Sequence, residues 1–400
     1  MDNFTSVRQV VRTLRPRSSL TVFHRDAVLR AAGWFVENFP GPVLYAVKTN
    51  PDPHVLTAVH RAGVRRFDVA SLSEVETVAS LFPDADICFM HTVKAPEHIA
   101  EAYDRHGVRT FAFDTDAELD KILRVTGDAR DLTLFVRVSV SNSDAEIDLS
   151  RKFGADPDAV GRLLVRARQV SARLGICFHV GSQCMEPSSF RHAIDLVHAA
   201  IVEAGVIVDI VDVGGGFPTA YPGMRPPPLA SYVEVISRAV ARLPIAEACE
   251  LWCEPGRAIA AEASSTLIRV EGRRGDALYV NDGTYGALFD AGAPGLVFPT
   301  AAHGAAGRAF GGASAPFKFF GPTCDGLDVM KGPFMLPADI DAGDYILVGK
   351  TGAYGNALRT RFNGFYSDLA VQVAEGPMMT MFADAAPAEP GARQVWGTDA

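Results

Sequence analysis

The stretch Leu44-Tyr45-Ala46-Val47-Lys48-Thr49-Asn50-Pro51 sets an amine directly after a short apolar run, and the same arrangement of apolar run followed by a polar group recurs along the chain. Eight such runs stand out: Val43–Val47, Arg66–Ala70, Ile87–His91, Thr110–Phe113, Thr133–Val138, Gly175–Val180, Asp209–Val213 and Glu250–Cys253. Between them lie stretches with helical spacing of apolar residues, namely Pro53–Ala62, Ser73–Leu81, Pro96–Arg105, Asp116–Leu123, Pro157–Arg173, Pro187–Glu203 and Ser231–Leu243. Several open with Pro, Ser or Asp, as helix starts do. Eight alternations over roughly 210 residues predict an α/β fold built as a (β/α)8 TIM-like barrel; an open doubly wound sheet shows the same alternation but fits the count less well.

The polar residues sharpen that reading. Lys48, Asp68, His91, Arg137, His179, Gly214 to Gly216 and Glu254 all fall at or just beyond the C-terminal ends of runs. That is the face where barrel active sites sit, and a glycine turn after the seventh run is a frequent phosphate position. Taken singly these residues have ordinary readings: a solvated lysine, a core histidine, a tight turn, and in Glu254-Pro255-Gly256-Arg257 an exposed ion pair. Together they supply an amine for a Schiff base, an aromatic base, a phosphate-binding turn and a carboxylate beside an arginine. Pyridoxal 5'-phosphate needs one of each, for its aldehyde, ring face, phosphate and ring nitrogen. It is therefore the expected cofactor.

After about Ala261 the texture changes to short β-rich runs punctuated by Gly, Asp and Pro, such as Thr266–Val270, Ala277–Val280, Leu296–Pro299 and Tyr345–Lys350. These predict a separate all-β domain. The expected organisation is a lead segment over 1–20 that pairs with the β domain or leads into the barrel, the barrel over 21–260, the β domain over 261–384 and a disordered tail over 385–400.

Composition narrows the partners. The 400 residues are 48% hydrophobic and 21% charged, enough for a large core and two domains. A net charge of -9 with acids and bases interspersed gives no basic face for nucleic acid or an anionic membrane, so neither is expected. The first twenty residues carry Arg8, Arg12, Arg15 and Arg17 without a continuous apolar core, which makes the cytoplasm the expected location. The 6 cysteines include no Cys-x-x-Cys pair of the zinc type and are too sparse for a disulfide framework; no metal is expected.

Over roughly residues 20 to 375 the chain resembles the fold-type III pyridoxal-phosphate decarboxylases, the ornithine, diaminopimelate and arginine decarboxylase family. The resemblance rests on Tyr45-Ala46-Val47-Lys48-Thr49-Asn50-Pro51, Phe67-Asp68-Val69-Ala70-Ser71, Phe178-His179-Val180-Gly181-Ser182-Gln183, Gly214-Gly215-Gly216-Phe217-Pro218 and Glu254-Pro255-Gly256-Arg257. Gly321-Pro322-Thr323-Cys324-Asp325, Gly352-Ala353-Tyr354 and Phe362-Asn363-Gly364-Phe365 extend it into the β-rich part. It implies that Lys48 holds the cofactor, that His179 stacks on its ring and that Glu254 faces the ring nitrogen. It also implies phosphate contacts from Ser182, Gly214, Gly215, Gly216, Gly256, Arg257 and Tyr354, with Asp68 and Arg137 supporting Lys48 and the ring.

The same resemblance implies a homodimer with shared active sites, in which Cys324 and Asp325 reach the partner's site. Cys324 would return a proton to the α-carbon, and Asp325 would bind a distal ammonium. Tyr285 and Asp290 are further substrate candidates, though the segment Asn281–Ala291 is shorter than in eukaryotic ornithine decarboxylases and leaves the role of Asp290 open.

The implied reaction is decarboxylation of a basic L-amino acid, ornithine to putrescine or lysine to cadaverine. Diaminopimelate and arginine decarboxylases remain alternatives, the first disfavoured by Cys324-Asp325-Gly326, where those enzymes usually carry Cys-Glu-Ser. A racemase of the same architecture would place arginine where Glu254 stands. From another class, an inactive relative that binds a regulator would lack reason to keep Lys48, His179, Glu254 and Cys324.

Overall fold

Strands that are buried on both faces read as continuous apolar runs, and the eight runs form one parallel sheet. The computed structural model describes residues 1–141, 145–147 and 152–383. Within it, Leu44–Ala46, Arg66–Val69, Asp86–Phe89, Thr110–Phe113, Thr133–Arg137, Arg173–Cys177, Ile210–Asp212 and Glu250–Trp252 pair side by side in chain order. The first and last strands meet through a parallel bridge between Val43 and Cys253, where the Leu44 N–H donates to the Cys253 carbonyl at 2.8 Å. The sheet is thereby a closed barrel.

Seven helices follow strands: Pro53–Arg61, Leu72–Leu81, Pro96–Asp104, Asp116–Val125, Pro157–Val170, Ser188–Ala204 and Leu229–Val240. Their starts are set locally, as at Ser71 and Thr115, whose hydroxyls accept the N–H of Glu74 and Glu118. The expected helix Pro157–Arg173 is too long. It ends at Val170 because Ser171 turns extended and Arg173 opens the sixth strand, with the Ala172 N–H donating to the Leu132 carbonyl at 2.8 Å. An eighth helix, Arg25–Asn38, precedes the first strand and was not expected. Its Phe35 packs edge-on to Phe217 with ring centroids 5.3 Å apart.

Leu44, Cys88, Met90, Ala112, Phe135, Cys177, Ile210 and Trp252 form one buried cluster drawn from the strands and the turns that follow them. Phe135 lies so close to the sixth strand that a Cβ on Gly175 would stand 2.3 Å from its ring. Glycine there admits the phenyl ring to a packed interior.

Residues 32–218 and 226–257 make up this barrel unit, and residues 1–31, 219–225 and 258–383 make up a second unit. The second is built on a nine-stranded sheet. Leu20–Phe23 pairs with Ser264–Arg274 and with Ala370–Val373, and Asp2–Phe4 pairs with Ala370–Val373. Leu20 and Val22 are buried with Leu267, Leu347 and Val371. Burial of those apolar side chains therefore holds residues 20–23 in the second unit.

The expected strand Leu296–Pro299 does not form. Pro299 has no N–H to give a ladder, its carbonyl accepts from Gly349 N–H at 2.8 Å, and the strand is Thr300–His303. Two long strands, Ser314–Phe320 and Val329–Pro337, supply Phe317, Phe319, Phe334 and Leu336 to the core of the second unit. Among the described residues no helix is long and apolar enough to cross a membrane. The tail 385–400 lies outside the described residues.

Candidate active site

Every polar residue singled out in the barrel sequence stands at the C-terminal end of its strand. Lys48 sits in the short turn Val47–Thr49 that follows the first strand, with its side chain partly exposed. Its ammonium donates to the buried carboxylate of Asp68 on the second strand at 2.6 Å. A charge-assisted bond to a fixed partner limits where this long side chain reaches.

His179 follows the sixth strand. Its Nδ1 accepts the Gly181 N–H at 3.0 Å, so a neutral ring carries its proton on Nε2. Burial first, then the charges of Arg137 and Lys48, push its pKa well below 6.5. The imidazole is neutral.

The glycine turn follows the seventh strand. Gly214 and Gly216 adopt φ of 65° and 103°, and a Cβ would stand 2.0 Å from the Phe178 carbonyl oxygen and 2.6 Å from that of Gly181, respectively. Only glycine allows both the backbone angle and the approach. The turn is tied to the eighth strand by the Glu254 N–H, which donates to the Gly214 carbonyl at 2.8 Å.

Glu254 itself is buried, and its carboxyl is raised well above the ordinary range, by burial first and then by the carboxylates of Asp212 and Asp68. Arg257 Nε donates to Ser182 Oγ at 3.2 Å. Gly256 lies against Thr49, whose Oγ1 would be 2.2 Å from an added Cβ. Arg137 and His91 approach one ring, that of Phe153, at 5.7 Å and 5.0 Å.

Two barrel residues without an assigned role from sequence reading join this set. Asp212, within the seventh run just before the glycine turn, is wholly buried next to Glu254. Lys94 is buried too and donates to the carbonyls of His91 at 2.8 Å and Ala112 at 2.6 Å, at the ends of neighbouring strands, while pairing with Glu118 at 3.1 Å. Burial lowers its ammonium pKa to about 8. Its position shortly after the third apolar run was the available signal.

The remaining candidates belong to the second unit and form a group of their own. The Tyr285 hydroxyl donates to Asp325 Oδ2, and the Leu327 N–H donates to Oδ1 at 2.9 Å. These bonds hold the Asp325 carboxyl below its ordinary range. Cys324 is exposed, and its N–H donates to Asn363 Oδ1 at 3.1 Å. Asp328, buried, accepts from the N–H of Thr284 and the N–H and hydroxyl of Thr323, joining the loops that carry Tyr285 and Cys324. Asp290 is buried in the short helix Phe289–Gly292, whereas Asp325 is half-buried. Tyr354 stands with φ of 65° before the short helix Gly355–Leu358.

The barrel group has the donor set pyridoxal phosphate requires. An amine stands ready for a carbonyl, a neutral imidazole offers a ring face, a glycine turn admits close approach to its backbone beside Ser182 and Arg257, and a buried carboxylate lacks a cation of its own among the described residues. A parallel barrel so equipped at one mouth is a pyridoxal-phosphate enzyme.

The family model for the pyridoxal-binding domain of pyridoxal-dependent decarboxylases matches residues 25–261. A lysine/ornithine decarboxylase of Selenomonas ruminantium is 32% identical, over 92% of this chain and 93% of that one. An ornithine decarboxylase of Panagrellus redivivus is 34% identical, over 80% of this chain and 77% of that one. The crystal structure of the Paramecium bursaria Chlorella virus arginine decarboxylase bound to agmatine superposes with a TM-score of 0.80 at 29% identity, covering 92% of this chain and 99% of that one. The chain belongs to the fold-type III pyridoxal-phosphate decarboxylases of the ornithine/lysine decarboxylase type.

Because the His179 pKa is lowered in the folded state, its contribution to stability is present above 6.5, its ordinary value, and is lost as pH falls through the lower folded value. Nuclear magnetic resonance of the imidazole should therefore show the ring still neutral at pH 6.5, where an ordinary histidine is half protonated. A midpoint near the ordinary value would contradict a ring held neutral.

Proposed function

We propose that this enzyme decarboxylates a basic L-amino acid, ornithine first and lysine second, and that two chains share their active sites. The observation that carries the substrate assignment is Asp325: a half-buried carboxylate, fixed by Tyr285 and the Leu327 N–H, directly beside the exposed thiol of Cys324. Such a group suits a distal ammonium, which needs a fixed counter-charge on leaving water. Relatives that act on lysine and ornithine support the same reading.

Bound pyridoxal phosphate supplies the electron sink that accepts the electron pair left when carbon dioxide departs. Lys48 holds the cofactor through its amine, which Asp68 orients. Glu254 faces the ring nitrogen and holds a proton there, while the neutral His179 covers the ring without adding charge. The N–H groups of the glycine turn, with Ser182, Gly256, Arg257 and Tyr354, hold the phosphate. Arg137 supports Lys48 and the ring. Cys324 delivers a proton to the α-carbon, Asp325 binds the distal ammonium, and Tyr285 fixes Asp325. Asp290 is left as a second, buried counter-charge.

The dimer reading is supported by exposed apolar residues near Cys324, with Leu327 at 75%, Phe362 at 42% and Phe365 at 47% exposure. Scattered singly these would need no explanation, but grouped about a catalytic thiol they suit a covered face. The six free thiols support a reducing compartment, hence the cytoplasm.

Replacing Asp325 by Ala should raise KM for ornithine and lysine strongly, because the distal ammonium loses its fixed counter-charge. Norvaline, which lacks the charge, should be spared. An equal loss for charged and neutral substrates would make the residue structural and remove the substrate assignment.

The shared site is tested by mixing two inactive variants, Lys48→Ala and Cys324→Ala. A hybrid dimer then holds one site with both residues intact, so partial activity should return. Absence of recovery despite measured subunit exchange would place both residues in the site of one chain.

A further inference from the structure

Asp212 ends the seventh strand, wholly buried, and the reading above leaves it without a task. Its Oδ1 accepts the Gly214 N–H at 2.8 Å, while Oδ2 is buried and meets no donor among the described residues. The polar side chain within hydrogen-bonding reach is Glu254 on the neighbouring eighth strand, itself buried and an acceptor when ionised. Two carboxylates that meet away from water repel, and neither is satisfied unless a proton lies between them.

The surroundings offer no other source. Of the charged groups that face the pair, Lys48 already donates to Asp68, and Arg137 acts on Glu254 through its charge alone. Asp68 adds a further negative charge. Cys88, Cys177 and Cys253 are thiols kept protonated by burial, and the charge of Asp212 adds to that in each.

We propose that Asp212 is a positioning residue for Glu254: the two carboxyls hold one proton and one negative charge between them at neutral pH, and protonated Asp212 donates to one oxygen of Glu254. The other oxygen is thereby turned toward the ring nitrogen. For its catalytic consequence the proposal rests on the assignment of Glu254 to that nitrogen; the proton count stands without it. Burial pushes Asp212 up to about 7, in keeping with a proton held near neutrality. A pair with a single net charge also matches a protonated ring nitrogen one to one, where two ionised carboxylates would leave an excess buried charge.

Substitutions separate this role from simple packing. Asn at 212 retains an acceptor for the Gly214 N–H and supplies a permanent donor to Glu254, so it imitates protonated Asp. Ala supplies neither. Infrared spectra of the full-length enzyme with cofactor bound, in light and heavy water at neutral pH, should show a buried protonated carboxyl. That band should vanish in both Asp212→Asn and Glu254→Gln, since either change removes one partner of the shared proton. Thermal melting establishes that each variant is folded, and Glu254→Gln gives the reading alone if Asp212→Asn does not fold. Asp212→Ala should lower kcat about 10- to 100-fold, as loss of an orienting partner does, and Asp212→Asn should recover most of that loss.

A wild-type spectrum without the band, or its survival in either variant, would overturn the shared proton. Equal rates for the Asn and Ala variants would overturn the positioning role. Full activity of Glu254→Gln would instead sink the ring-nitrogen assignment while leaving the infrared result intact.

Discussion

Closure of the sheet between Val43 and Cys253 is the constraint on which the site depends. In an open sheet Lys48 and Glu254 would hang from opposite edges, as far apart as eight strands allow. The closing bridge instead makes the first and eighth strands neighbours and brings the amine round to the carboxylate. The eighth helix, Arg25–Asn38, belongs to the same constraint, because it precedes the first strand and leaves the eighth free to lead out of the barrel through Glu254 and Arg257.

Charge is then arranged within that ring of strand ends. Asp68, Asp212 and Glu254 are buried acids, and among the described residues only Asp68 has a direct cation partner, Lys48. Excess buried negative charge is costly unless it is neutralised by protons or by a ligand cation. Such a charge arrangement suits a protonated ring nitrogen, and His179 is held neutral so that it adds no competing charge. Lys94, at the same strand ends, has a different partner: its ammonium ties the ends of the third and fourth strands through two carbonyls and pairs with Glu118.

What could be read from the sequence follows from the same physics. Parallel strands covered on both faces must be apolar throughout, so all eight were legible, and a polar residue ending each run is conspicuous. The helix Arg25–Asn38 was not, since its amphipathic pattern is weak. Ser314–Phe320 and Val329–Pro337 contain Pro316 and Pro333, residues that argue against a strand. Asp212 and Lys94 were visible but mute: whether such a residue is solvated or buried against another charge depends on which strands become neighbours. The same holds for Asp290, which in sequence looked as available as Asp325 and in the structure is buried.

The central claim is that the amine at the end of the first strand is the one that holds the cofactor. Lys94 is its natural rival, another strand-end lysine, buried and with a pKa lowered to about 8. Reducing the cofactor-loaded enzyme with borohydride and mapping the modified peptide by mass spectrometry decides between them. Modification at Lys48 is the predicted result; modification at Lys94, or at no lysine, would contradict the account.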